Sequence, residues 1–144
     1  MRNLLRISIA AALLAVPSIS LAAGAAAASR STYAINCDRE QYRPGRITLS
    51  CADAGIWLAK LTWSSWGRDR AVGAGTYDEN TCTPNCATGH VVGKPVRVIL
   101  SKPKTCPGES RRGFTRATFS FPSGAPPSAY DRFTFVCPVL PGQY

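Results

Sequence analysis

Few residues in this chain are equipped for chemistry: six cysteines, one histidine and eight carboxylates among 144 residues. Cys82, Cys86 and His90 fall close together in the run C-T-P-N-C-A-T-G-H. That spacing could present three zinc ligands on one loop, with Cys106 or Cys137 as the fourth. A Cys82–Cys86 disulfide is the stronger reading, because thiols pair in an oxidising compartment and Pro84-Asn85 favours a tight turn. Neither metal nor cofactor is expected. His90 follows Gly89 and reads as a loop residue rather than a general base. Asp38, Glu40, Asp53, Asp78, Glu79 and Asp131 offer no obvious pair for glycoside hydrolysis. Asp78 and Glu79 are adjacent, so on a strand they would point to opposite faces. Six bridged cysteines leave no thiol nucleophile. No GxxxxGK[ST], HExxH, GxSxG or GxGxxG run occurs. The expectation is a protein that is not an enzyme.

Charge is more informative than the acid–base inventory. The whole chain has 17 Lys and Arg against 8 Asp and Glu, a formal net charge of +9. Between positions 94 and 116 lie Lys94, Arg97, Lys102, Lys104, Arg111, Arg112 and Arg116, with Glu109 the only acid. If the two strands flanking this window pair as a hairpin, Arg97 and Arg116 share its exposed face. Lys102, Lys104, Arg111 and Arg112 would then crown one end. Such a surface attracts an anionic polymer or polysaccharide of the cell envelope, or a phospholipid surface. Nucleic acid is a lesser expectation, and the bland alternative is a positive surface that only maintains solubility. Aromatic residues supply a second candidate contact. Trp66, in Ser64-Ser65-Trp66-Gly67, is placed to stack on sugar rings, whereas Trp57 and Trp63 share strand parity with Leu61 and read as core.

The elements that must hold these residues are strands. Ile47 to Cys51 and Ile56 to Trp63 alternate with period two, and Asp53-Ala54-Gly55 between them reads as a turn. Gly73 to Tyr77 is a glycine-rich strand or bulge. Val96, Val98 and Leu100 share one face of the next strand. Thr115, Ala117, Phe119 and Phe121 share a face of another, opposite Phe114 and Arg116, and Phe133, Phe135 and Cys137 line the last. Six to eight short strands separated by Pro and Gly breakers predict an all-β fold. A small disulfide-stapled sandwich of immunoglobulin-like architecture is expected, with a small open β-barrel as the alternative.

Residues 1–28 read as a secretory signal peptide. Arg2 and Arg6 precede an apolar core, Pro17 breaks it, and the small residues from Ala22 to Ala28 offer cleavage sites. The expected product is a single disulfide-rich domain, 29–144, exported by the general secretory route, free of any later membrane span and secreted. Its six cysteines, Cys37, Cys51, Cys82, Cys86, Cys106 and Cys137, imply three bridges among 15 pairings. Nearest-neighbour pairing is the expected one. It would close loops of 15, 5 and 32 residues, contributing about 3, 2 and 3.7 kcal/mol in the loop-entropy picture.

The order C-D, R-P-x-x-I-x-L-S-C-A-D, L-T-W-S-S-W, G-A-G-T-Y-D-E-N-x-C-x-P-N-C-A-x-G-H, V-R-V-I-L-S-K-P and F-T-R-A-T runs from Cys37 to about Phe121. It resembles a group of small exported bacterial all-β proteins of unassigned function. The resemblance implies export and the Cys82–Cys86 ring; Cys106 and Cys137 lie outside its pattern, and it brings no catalytic residue.

These observations together point to a secreted, non-enzymatic domain that binds an anionic ligand through the 94–116 region. An alternative is a protease inhibitor presenting a rigid loop, Thr81–Gly89 or Lys102–Arg112, to an enzyme cleft. A hydrolase is the lesser alternative.

Overall fold

A computed structural model describes residues 31–138, so the expected signal peptide lies outside the described residues. Eight strands form, and no helix is present among the described residues. They are β1 (Thr32–Asn36), β2 (Arg39–Gln41), β3 (Ile47–Thr48), β4 (Ile56–Trp66), β5 (Ala71–Asn80), β6 (Val91–Thr105), β7 (Arg112–Ser120) and β8 (Arg132–Thr134). All belong to one sheet in the order β2-β1-β7-β6-β5-β4-β3, with β8 also paired to β7. Every pairing is antiparallel except β1 with β7.

One sheet in place of two makes this the open barrel rather than the sandwich. The long strands β4 to β6 bend until the sheet brings β1 back toward β3. Side chains close that seam. The Asn36 carboxamide accepts from Thr48 N at 2.8 Å and donates to Arg46 O at 3.2 Å. Trp63 Nε1 donates to Pro44 O and Trp66 Nε1 to Thr32 O. The Cys37–Cys51 disulfide ties the same two regions together.

Bending has a local cause. The β4–β5 ladder shifts register between Ala59 and Thr62 and again between Trp63 and Ser65. Lys60 takes a left-handed backbone, with φ 51°, at the first shift. These are β-bulges, which curl a strand and reverse its side-chain parity. A Cβ on Gly73 would stand 2.7 Å from the Trp63 ring and 2.8 Å from Thr62 O; one on Gly75 would collide with Ala59 O. The two glycines of G-A-G therefore let the bulged strand lie close. The stretch is a strand, and the bulges sit on its neighbour.

The interior holds Leu58, Leu61, Tyr77, Val96, Val98, Leu100, Phe114, Ala117, Phe119 and Phe135. Val96, Val98 and Leu100 share a face as expected. Leu58 and Leu61 are both buried because the Lys60 bulge reverses parity between them. Trp57 consequently lies half-buried on the outer side, beneath the Arg46 guanidinium at 4.5 Å from its ring, while Trp63 packs against the core. Expected core status holds for Trp63 only. Phe114 is buried along with Ala117 and Phe119, contrary to strict alternation. The pairing of β6 with β7 skips Lys102 and Thr115, Lys102 has φ 54°, and the hairpin twists enough to return Phe114 inward.

The cysteines form three bridges, Cys37–Cys51, Cys82–Cys86 and Cys106–Cys137, in the nearest-neighbour pattern. Three disulfides are consistent with an extracellular protein.

Candidate functional site

Strand alternation sorts the basic residues of the 94–116 window. Arg97 pairs with Ser120, Ile99 with Thr118 and Ser101 with Arg116 across β6 and β7. Thr118 pairs in turn with Arg132, and Arg116 with Thr134, across β7 and β8. Val98, Leu100, Ala117 and Phe119 occupy the intervening positions and are buried. Arg97, Arg116 and Arg132 therefore emerge on the outer face, among Ser101, Thr118, Ser120 and Thr134. At about 3.3 Å per residue and 4.8 Å between strands, Arg116 lies roughly 8 Å from Arg132 and 14 Å from Arg97. None of the three is in an ion pair among the described residues. Beside Arg97 a shallow hollow of about 330 Å³ is lined by Thr62, Ser64, Val72 and Ala74. Its hydroxyls already bond the sheet: Thr62 Oγ1 donates to Ala74 O and Ser64 Oγ to Val72 O.

Lys102 and Lys104 extend the positive surface toward the hairpin tip; both are exposed and belong to β6 rather than to a loop. The connecting turn spans only 106–111. Arg111 and Arg112 do not join Lys102 and Lys104 as a free crown. Arg112 donates to Asp69 Oδ1 from both terminal nitrogens at 3.3 Å. Arg111 Nε lies 3.4 Å from Glu40 Oε2, and its guanidinium covers the Tyr33 ring at 4.7 Å. A Tyr33 hydrogen bond, reinforced by the Glu40 charge, raises the Arg111 pKa further above its ordinary value. The Glu40 side chain is only 4% exposed. Burial pushes its carboxyl above the usual range, the Glu109 charge adds to the rise, and Arg111 opposes both. Arg111 thus compensates a buried charge, and its removal would leave that charge unpaired.

Lys94 leaves the expected patch for a different reason. It pairs across from buried Tyr77 and so falls on the inner side of the sheet, half-buried, opposite in direction to Arg97. Trp66 is not a free stacking platform either. It is half-buried, donates to Thr32 O at 2.8 Å, and meets Trp63, Phe114 and Tyr42 edge-on. Tyr42 is the exposed member of that aromatic set. The second register shift, between Trp63 and Ser65, reverses parity again and carries Trp66 inward.

Arg132 was not part of the expected set. Asp131 cancels it in any window charge, which hid it. The D-R-F-T-F alternation was the available signal, since Phe133 and Phe135 turn toward the core and leave Arg132 and Thr134 facing outward.

The Cys82–Cys86 disulfide removes both thiolates that a zinc site there would need. Among the described residues no group of three or more His, Cys, Asp or Glu is arranged to hold a metal ion. The loop around the bridge is exposed and braced internally. Asn85 Oδ1 accepts from Ala87 N and Thr88 N, Asn80 Nδ2 donates to Cys86 O, and Thr81 N donates to His90 O at 2.9 Å.

No protein family, curated protein or solved structure matches this chain.

Proposed function

We propose that this is a secreted, non-enzymatic binding domain whose ligand is an anionic polymer of the cell envelope or its surroundings. The observation that carries this reading is the cluster of Arg97, Arg116 and Arg132 on one sheet face. Hydroxyl residues lie between them, and no carboxylate is paired with any of the three among the described residues. A sheet face is stiff, so the guanidinium stems are positioned before the ligand arrives and less entropy is lost on binding. Arginine also offers a forked donor pair that fits phosphate and carboxylate oxygens. Lys102 and Lys104 add long-range attraction at the hairpin tip.

Co-sedimentation of the oxidised protein with cell-wall fragments, with and without their anionic polymers and at two salt concentrations, tests this. Binding lost on polymer removal and weakened by salt is the expected result. Binding indifferent to both would remove the arginine face as the working surface.

One observation favours the protease-inhibitor reading: the Thr81–His90 loop is exposed and braced by a disulfide and side-chain hydrogen bonds. The Lys102–Arg112 segment offers it no support, since Lys104 lies in a strand and Arg111 is paired. Stoichiometric titration of trypsin-like and subtilisin-like proteases checks the loop directly.

A further inference from the structure

The second feature of this fold lies where the barrel stays open. Residues Arg112–Phe114 of β7 pair with β1, and Arg116–Thr118 pair with β8, so β1 and β8 succeed one another along the same side of β7. Both then diverge, leaving a wedge. A cleft of about 640 Å³ fills it. Phe133, Phe135 and Val136 line one wall; Ile35, Leu49 and Asp38 line the other, with the Cys37–Cys51 bridge. The volume falls in the range of binding clefts, and the lining is mostly apolar. Val136 stands 78% exposed at its rim.

The same wedge presents unpaired backbone. Phe119 N donates to Asp131 O and Phe135 N to Thr115 O, each at 2.9 Å. In an antiparallel ladder these are hydrogen-bonded pairs, and Ala117 with Phe133 between them must be a third. Arg132 and Thr134 therefore turn their N–H and C=O groups away from β7, toward the open edge. Neither donates or accepts a backbone bond there among the described residues.

We propose that this edge and cleft take up an extended peptide segment of a partner protein, as an added strand beside β8. The segment's backbone would pair with Thr134, and its inward side chains would be apolar and enter the cleft beside Phe133 and Phe135. Its outward side chains would stand beside Arg132 and Thr134. Arg132 is in no ion pair among the described residues and Arg116 adjoins it, so an acidic outward residue is the complementary choice. Backbone pairing gives affinity and the alternate side chains give selectivity. This surface shares Arg116 and Arg132 with the polymer face but not Arg97 or the lysines of the hairpin tip, and the cleft and open edge carry the inference without the polymer reading.

The test uses the oxidised protein and a displayed library of random peptides of about eight residues, near the length of an ordinary strand. Recovered peptides should alternate apolar residues on one side with an acidic residue on the other. Thr134→Pro removes the edge N–H without touching the β7 ladder and should weaken binding about tenfold, as should N-methylation of the peptide amide that pairs there. The methylated peptide keeps the test valid if the proline variant misfolds. Arg97→Gln should leave peptide affinity unchanged while weakening polymer binding, so failure of one proposal is distinguishable from failure of the other. Three results would overturn the inference. One is no recovered binder. Another is binders indifferent both to Thr134→Pro and to N-methylation. The third is slow hydrogen exchange of the Thr134 amide in the protein alone, which would mean that its own chain or a second copy already covers the edge.

Discussion

Replacing Arg97, Arg116 and Arg132 together with glutamine should sharply reduce the salt dependence of polymer binding. The contacts assigned to the polymer are those three with Lys102 and Lys104, none of them in an ion pair among the described residues. For phosphate polymers log K falls with log salt by about 0.7–0.9 per neutralised charge. Five contacts give a slope near −4, so raising salt from about 50 to 200 mM should weaken binding roughly 250-fold. The triple variant keeps two contacts, a slope near −1.6, and a loss of only about ninefold over the same range. Affinity at the lower salt drops as well. Fluorescence titration of labelled polymer at four or more salt concentrations reads both quantities. The control is Arg111→Gln with Arg112→Gln, because those side chains already serve Glu40 and Asp69. Its slope should match that of the unmodified protein. A triple variant with an unchanged slope, or a double variant that loses the slope instead, would refute the assignment.

Other substitutions probe the scaffold. Glu40→Gln should raise the melting temperature near neutral pH, because burial and Glu109 lift the folded-state pKa of Glu40 above its unfolded value. A raised carboxyl is most compatible with folding when protonated, so the advantage should shrink as pH falls through the ordinary glutamate range, which melting curves over pH 3–8 would check. Replacing Cys106 and Cys137 with alanine opens a loop of sequence separation 31 and should cost about 3.7 kcal/mol, or roughly 15 °C in thermal unfolding. Removing the Cys82–Cys86 pair, separation 4, should cost about 2 kcal/mol, so calorimetry should rank the two variants in that order. The Tyr77 hydroxyl is buried with no well-formed hydrogen bond, the Tyr130 backbone being its nearest partner, and burial pushes its pKa up to about 12. Tyr77→Phe should therefore stabilise the fold by about 1 kcal/mol in denaturant titration, and a clear loss would reveal a partner for the hydroxyl.

Much of the scaffold was legible because period-two alternation and turn residues act locally. Val96, Val98 and Leu100 share a buried face as their spacing required, and the β6–β7 hairpin forms where two alternating runs flank breakers. What alternation cannot announce is an irregular residue within a strand. Lys60 and Lys102 adopt left-handed backbone although neither is glycine. The shift at Lys60 leaves Trp57 outside, the second shift between Trp63 and Ser65 carries Trp66 inward, and the β6–β7 pairs skip Lys102 and Thr115 just before inward-facing Phe114. The choice of one curled sheet over two stacked ones depends on the same bulges, together with the close approach that Gly73 and Gly75 allow. Glycines mark where a bulge can be tolerated without saying on which strand it falls.

The site was harder to read than the fold because charge along a sequence is a sum, whereas charge on a sheet is a projection. Seven bases within 23 positions look like one surface when counted. The structure divides them. Lys94 and Arg97 are three residues apart on one strand and so face opposite ways, while Arg97 and Arg132 are 35 positions apart and face the same way. An opposite charge misleads differently in two cases. Asp131 cancels Arg132 in the sum yet leaves its side chain free, whereas Glu40 is 71 positions from Arg111 and ties it down through a buried carboxylate. Free charge is thus settled by strand pairing and by what is buried beneath each side chain. Both are long-range consequences of the register, which is why three arginines with no unusual sequence context became the candidate surface.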